Sequence, residues 1–151
     1  MSVGPLCLIG IIAGRRVAID AGLVESVIEL AGVRPVPGAA RGILGLAALR
    51  SRVLTVVDCA VALGLGAASA TGNGSSAPLP AIVLTVGGYL YGFVLDKVED
   101  VVEADGPAVP AGAPLGDPWT AVSAGIVDIS GITLPLLEPA AVLATLTASA
   151  A

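Results

Sequence analysis

Apolar residues fall in short runs and alternations cut by glycine, the pattern of strands joined by tight turns. Leu6 to Ala13 and Ala81 to Val86 are apolar runs that lead into Gly14-Arg15-Arg16 and Gly87-Gly88, which is hairpin-turn chemistry. Val17 to Asp20 and Tyr89 to Leu95 read as the returning strands. Asp20 to Leu30 is ambiguous, because Leu23, Val27 and Leu30 have helical spacing. Its counterpart Val98 to Val102 holds three valines in five residues, and that β-branched enrichment favours a strand. The prolines of Arg34-Pro35-Val36-Pro37-Gly38 remove ladder donors and mark a loop. Arg52 to Val57 is a further strand. It ends at Asp58, a good N-cap for a short helix over Cys59 to Leu63 with Gly64 placed to stop it. Glu138-Pro139 opens a last helix with proline in its first turn.

The chain repeats itself. Val24-Glu25-Ser26-Val27-Ile28-Glu29 returns as Val98-Glu99-Asp100-Val101-Val102-Glu103, an offset of 74 that also carries Gly14 onto Gly88 and Ile19 onto Phe93. Gly45 to Leu63 returns as Gly125 to Leu143 at offset 80, pairing Leu49 with Ile129 and Asp58 with Glu138. Two matches in the same order indicate a duplicated module. The fold class expected is mainly all-β: two small five-stranded barrels of the Src-homology-3 kind, one per repeat, with a short helix after each barrel's last long strand. The halves would cover about residues 6–65 and 80–146. The small polar stretch 66–79 would link them within a single domain.

Composition narrows the function classes. Of the 151 residues 56% are hydrophobic and 13% charged, which excludes a disordered chain. Glycines, prolines and charges cut every apolar run short of the roughly 18 residues a spanning helix needs, so no direct membrane insertion is expected. Met1 to Pro5 has no basic leader region, and Cys7 follows Leu6 where a lipoprotein site would want a small residue. Cys7 and Cys59 read as buried free thiols in a cytoplasmic protein. Net charge is −5 and uneven: residues 1–58 carry +2 and residues 59–151 carry −7, so the two halves are expected to face different partners. An acidic chain with 3% aromatics offers no nucleic-acid platform.

The chain contains no histidine, which removes the commonest general base and metal ligand. Neither cysteine has an imidazole partner. The acids Asp96, Glu99, Asp100, Glu103 and Asp105 miss the alternate-oxygen spacing of a calcium loop, and a solvated strand face is the favoured reading. A metal-dependent hydrolase built on them is the weakest alternative. Gly64-Leu65-Gly66 lacks the third glycine of a dinucleotide loop and stands in the wrong context. The residues themselves indicate no enzyme, no cofactor and no metal.

Residues 37–58 run from a Pro-Gly loop through Gly45 and an apolar strand to Leu49-Arg50, and end on Val56-Val57-Asp58. This segment resembles the region around the Asn-Leu-Arg-Gly turn of the CheW-like domain of bacterial chemotaxis coupling proteins. Residues 88–103 and 125–143 are similar to the second half of that domain, so the resemblance spans about residues 6–146. The segment departs from the family pattern at Ala48 for Asn, Ser51 for Gly and Thr55 for Pro, which alters the turn presenting Arg50. The resemblance implies a non-catalytic adaptor linking the cytoplasmic tip of a chemoreceptor to the regulatory domain of a CheA-type histidine kinase, recruited to membrane receptor arrays. The alternative is a degenerate CheW-like module serving another partner or oligomer. The family motif makes Arg50 and Leu49 partner-binding candidates, with Gly45, Val24 and Ser26 beside them. Core packing competes as the role of Val24, and close backbone approach as that of Gly45. Tyr89 and Tyr91 alternate with Leu90 and share a face, either as an interaction patch or as barrel packing.

Overall fold

A computed structural model describes residues 4–66 and 78–149. Ten strands appear: β1 (Leu6–Ile12), β2 (Arg15–Asp20), β3 (Val24–Leu30), β4 (Ile43–Leu49), β5 (Arg52–Asp58), β6 (Leu79–Val86), β7 (Tyr89–Val94), β8 (Lys97–Glu103), β9 (Ser123–Ile129) and β10 (Ile132–Leu137). Helices α1 (Cys59–Ala62), α2 (Trp119–Val122) and α3 (Pro139–Ser149) complete the described chain. Asp20 to Leu30 is a single 3-10 turn, Ala21–Leu23, followed by β3, so the strand reading holds from Val24 onward. Asp58 caps α1 as its sequence suggested: its Oδ1 accepts the amides of Ala60 at 3.1 Å and Val61 at 3.3 Å. The linker expected at 66–79 lies almost wholly outside the described residues.

The strands form two five-stranded sheets, ordered β8-β1-β2-β10-β9 and β3-β6-β7-β5-β4. This corrects the expectation of successive barrel-like halves at 6–65 and 80–146. Hairpin β1–β2 belongs to the sheet of β8, β9 and β10, while β6–β7 completes the sheet of β3, β4 and β5. The two repeats have exchanged hairpins. Registers confirm the equivalence: Leu136 pairs with Ala18 in parallel, as Val56 pairs with Gly92. Gly10 opposes Val98 as Leu84 opposes Val24. Each hairpin has two apolar faces, one turned to the core shared by both sheets and the other to the private core of the sheet it has joined.

The alternation of each strand feeds two cores. Leu8, Ile12, Val17 and Ile19 meet Val57, Ile82, Leu84 and Phe93 in a core shared by both sheets, together with residues of all three helices. The opposite faces close private cores: Leu30, Leu54, Val56 and Val83 in one sheet, and Cys7, Ile9, Val127 and Leu134 in the other. Each sheet curls toward a barrel through a short bridge. The amides and carbonyls of Arg34 and Leu46 exchange hydrogen bonds at 2.8 and 2.9 Å, and those of Val109 and Ile126 at 3.0 and 2.8 Å. Strands β3 and β4, and likewise β8 and β9, do not pair directly, so the barrels are incomplete. Two further differences from expectation are α2, which the sequence did not announce, and α3, whose 11 residues make it more than a short cap.

Candidate partner-binding grooves

Four two-residue loops join the hairpins. Ala13-Gly14, Gly87-Gly88 and Ser130-Gly131 have positive φ at both positions, the primed turn that suits strand twist. The β4–β5 loop differs: Arg50 has φ 58° and Ser51 stays out of that region. An L-residue held there costs roughly 1–2 kcal/mol, a strain the surrounding ladder must sustain. The result is an exposed arginine at the tip of a tight hairpin, with no ion-pair partner among the described residues.

Beneath this tip lies a groove of about 410 Å³ lined by Glu25, Ser26, Ile28, Leu49, Arg50 and Arg52. It brings together Ser26, Leu49 and Arg50 from the five sequence candidates. Val24 and Gly45 do not line it. Val24 is half-buried against the shared core. Gly45 is buried with φ 146°, and a Cβ there would run into the carbonyl oxygen of Arg34, which is the close approach its sequence position suggested. Glu25 and Arg52 are new to the site. They form an ion pair at 3.4 Å, and Glu25 also accepts the Thr85 hydroxyl at 3.2 Å. Their relation depends on strand register across 27 residues, which no local motif carries.

The repeat places a second groove at the equivalent positions. Glu99, Asp100, Val102, Ile129, Ser130 and Ile132 line it, with Arg16 and Ile9 among others, in a volume of about 240 Å³. Arg16 donates from Nε to Glu99 at 2.7 Å and from a terminal nitrogen at 3.2 Å. That bond holds the Glu99 carboxyl below the usual range and raises the arginine in return. The first groove carries a formal charge of +1 and its twin −1, from two Arg and one Glu against one Arg and two acids. The remaining acids of the 96–105 stretch are dispersed. Asp96 accepts the Gly14 amide at 3.2 Å, and Asp105 accepts the amides of Ser130 and Gly131 at 3.1 and 3.0 Å. Among the described residues no three His, Cys, Asp or Glu side chains converge as metal ligands.

A family model described as the CheW-like domain matches residues 7–147. The chain belongs to the CheW-like domain family. Among solved structures, that of scaffolding protein TtCheW from Thermoanaerobacter tengcongensis matches with a TM-score of 0.74 at 19% identity, covering 89% of this chain and 88% of that one. That likeness is one of fold. No curated protein matches the chain. In this CheW-like domain the described helices include none long and apolar enough to cross a membrane.

Proposed function

We propose that this CheW-like protein is a non-catalytic, cytoplasmic signalling adaptor that couples a chemoreceptor's cytoplasmic tip to the regulatory domain of a CheA-type histidine kinase at receptor arrays. The observation that carries the reading is the groove under the β4–β5 tip, where Ser26, Leu49 and Arg50 converge. A planar guanidinium at a tight turn is suited to fork onto a partner carboxylate. The apolar floor of Leu49 and Ile28 supplies area around it. Val24 and Gly45 act from behind, the first by packing β3 and the second by letting the Arg34 bridge close on β4. The oppositely charged twin groove gives an adaptor a second, chemically distinct contact, as an asymmetric linker between two partners requires.

Arg50→Glu tests the assignment. The substitution keeps a non-glycine residue at φ 58° and lies at an exposed position, so melting should stay near wild type. Like charge against an acidic partner surface should weaken binding to the kinase regulatory domain or the receptor tip at least about tenfold, read by pull-down and titration. A folded variant that binds both partners as tightly as wild type overturns the groove as the contact site. A wild-type chain that binds neither leaves the alternative, a CheW-like module serving another partner.

A further inference from the structure

Hairpins β4–β5 and β9–β10 are twins, but only one of their turns is capped. At the β9–β10 tip, Asp105 spans the turn: Oδ1 accepts the Ser130 amide at 3.1 Å and Oδ2 the Gly131 amide at 3.0 Å. The Asp105 amide donates in turn to the Asp128 carbonyl at 2.7 Å. The offset of 80 carries Asp128 onto Ala48 and Ser130 onto Arg50, and the offset of 74 carries Asp105 onto Ala31. Neither Ala31 nor the following Gly32 has a side-chain acceptor to offer. The chain is also shorter there, with three steps from Ala31 to the bridge at Arg34 against four from Asp105 to the bridge at Val109. Ala31 therefore cannot follow the path that Asp105 takes along its twin strand.

The groups that Asp105 would meet are nevertheless in place. Leu46 turns its amide and carbonyl outward to Arg34, so Ala48, two residues on, turns its own to the same edge. Among the described residues nothing donates to the Ala48 carbonyl and nothing accepts from the Arg50 amide. The pairs Leu49–Arg52 and Ile129–Ile132 close the two hairpins alike, and Arg50 at φ 58° enters its turn as Ser130 does at φ 51°. The turns part at their second residue, where Gly131 has φ 78° and Ser51 lies outside that region. On the open turn a guanidinium stands beside the first amide instead. Arg52 is committed to Glu25, which leaves Arg50 as the charge for an incoming anion.

We propose that the β4–β5 tip binds an aspartate within an extended partner segment, seated as Asp105 is on the sister turn. Its carboxylate takes the Arg50 amide and guanidinium, and its backbone amide donates to the Ala48 carbonyl. A turn amide and a cation together make a stronger anion site than either alone, and the open strand edge fixes the direction of the segment. The inference rests on the groove of the adaptor reading and adds the chemistry of what docks there.

The probe is a synthetic peptide of residues 101–107 with blocked ends, which presents Asp105, titrated into the isotope-labelled full chain. The Arg50 amide proton should move downfield and saturate, while those of Ser130 and Gly131, already held by the chain's own Asp105, stay in place. A peptide with Asp105→Asn should bind at least about tenfold more weakly. Arg50→Gln keeps the amide at an exposed position, so it should weaken the peptide and still show the downfield movement at residue 50 on saturation. Loss of that movement would assign the carboxylate to the guanidinium alone and overturn the proposal. So would an unmoved Arg50 amide up to about 5 mM peptide, or equal binding of the Asp105→Asn peptide. Sodium acetate that reproduces the shifts at the same concentration would show a bare anion site and overturn the segment. A chain that binds the peptide but neither kinase domain nor receptor tip overturns the adaptor reading and leaves this site standing. A chain that binds those partners but not the peptide does the reverse.

Discussion

A thiol reacts as its thiolate, so burial and nearby carboxylates decide the chemistry of the two cysteines. Cys59 is fully buried at the start of α1, and desolvation pushes its thiol far up, with Asp58 and then Asp96 adding to the effect. Cys7 is raised by burial first and by Asp20 second. Both sit among apolar neighbours of the cores, consistent with packing roles. Neither should react with Ellman's reagent at pH 8 over minutes in the folded protein, and both should titrate in urea. A thiol that reacts rapidly in native buffer would show that its core opens. At this same scale the sequence and the structure part company over Arg50. The family motif selected it, but nothing local showed that it, and not Ser51, takes the positive φ of the turn. Glu25 and Arg52 were invisible because their meeting is a matter of register.

Strand alternation was legible, but the two faces it feeds were not. Leu54 and Val56 look toward a private core while Val57 looks toward the shared one, and all three are apolar. A sequence with both faces buried shows runs instead of clean alternation, which accounts for the large apolar fraction. Helix α2 escaped notice because four residues after a proline-rich loop give no periodicity to read. Gly45 was read both as a contact candidate and as a close-approach residue, and its geometry favours the second role. A side chain there meets the Arg34 carbonyl, and φ 146° is a conformation only glycine adopts with ease. Gly125 occupies the equivalent place against Val109, at φ 151°. Gly45→Ala and Gly125→Ala should each cost at least about 2 kcal/mol in urea unfolding, by backbone strain and forced opening of the bridge. A Gly45→Ala chain of wild-type stability that fails to bind partners would restore Gly45 as a contact.

The duplication was visible in the sequence as two offsets, yet the exchange of hairpins was not. Offsets report which segments are alike and say nothing of which copy a hairpin pairs with. Hairpins β1–β2 and β6–β7 are interchangeable by pattern, since Ala18 and Gly92 both take the parallel partner at the centre of their sheets. The exchange makes one cooperative unit out of two repeats, because neither half of the chain holds a complete sheet. Two fragments ending at Gly66 and beginning at Pro78 test this. The first contains β3, β4 and β5 without β6–β7, and the second contains β8, β9 and β10 without β1–β2. Each alone lacks the central hairpin that joins a single outer strand to an outer pair, so neither should melt cooperatively as a monomer. Mixed in equal amounts they should recover the circular dichroism and a sigmoidal melt, with the midpoint rising with concentration because association replaces a closed loop. Cooperative folding of either fragment alone as a monomer would mean that its own hairpin can fold back to complete the sheet, and the exchange would then be one arrangement of two and not a requirement of the fold.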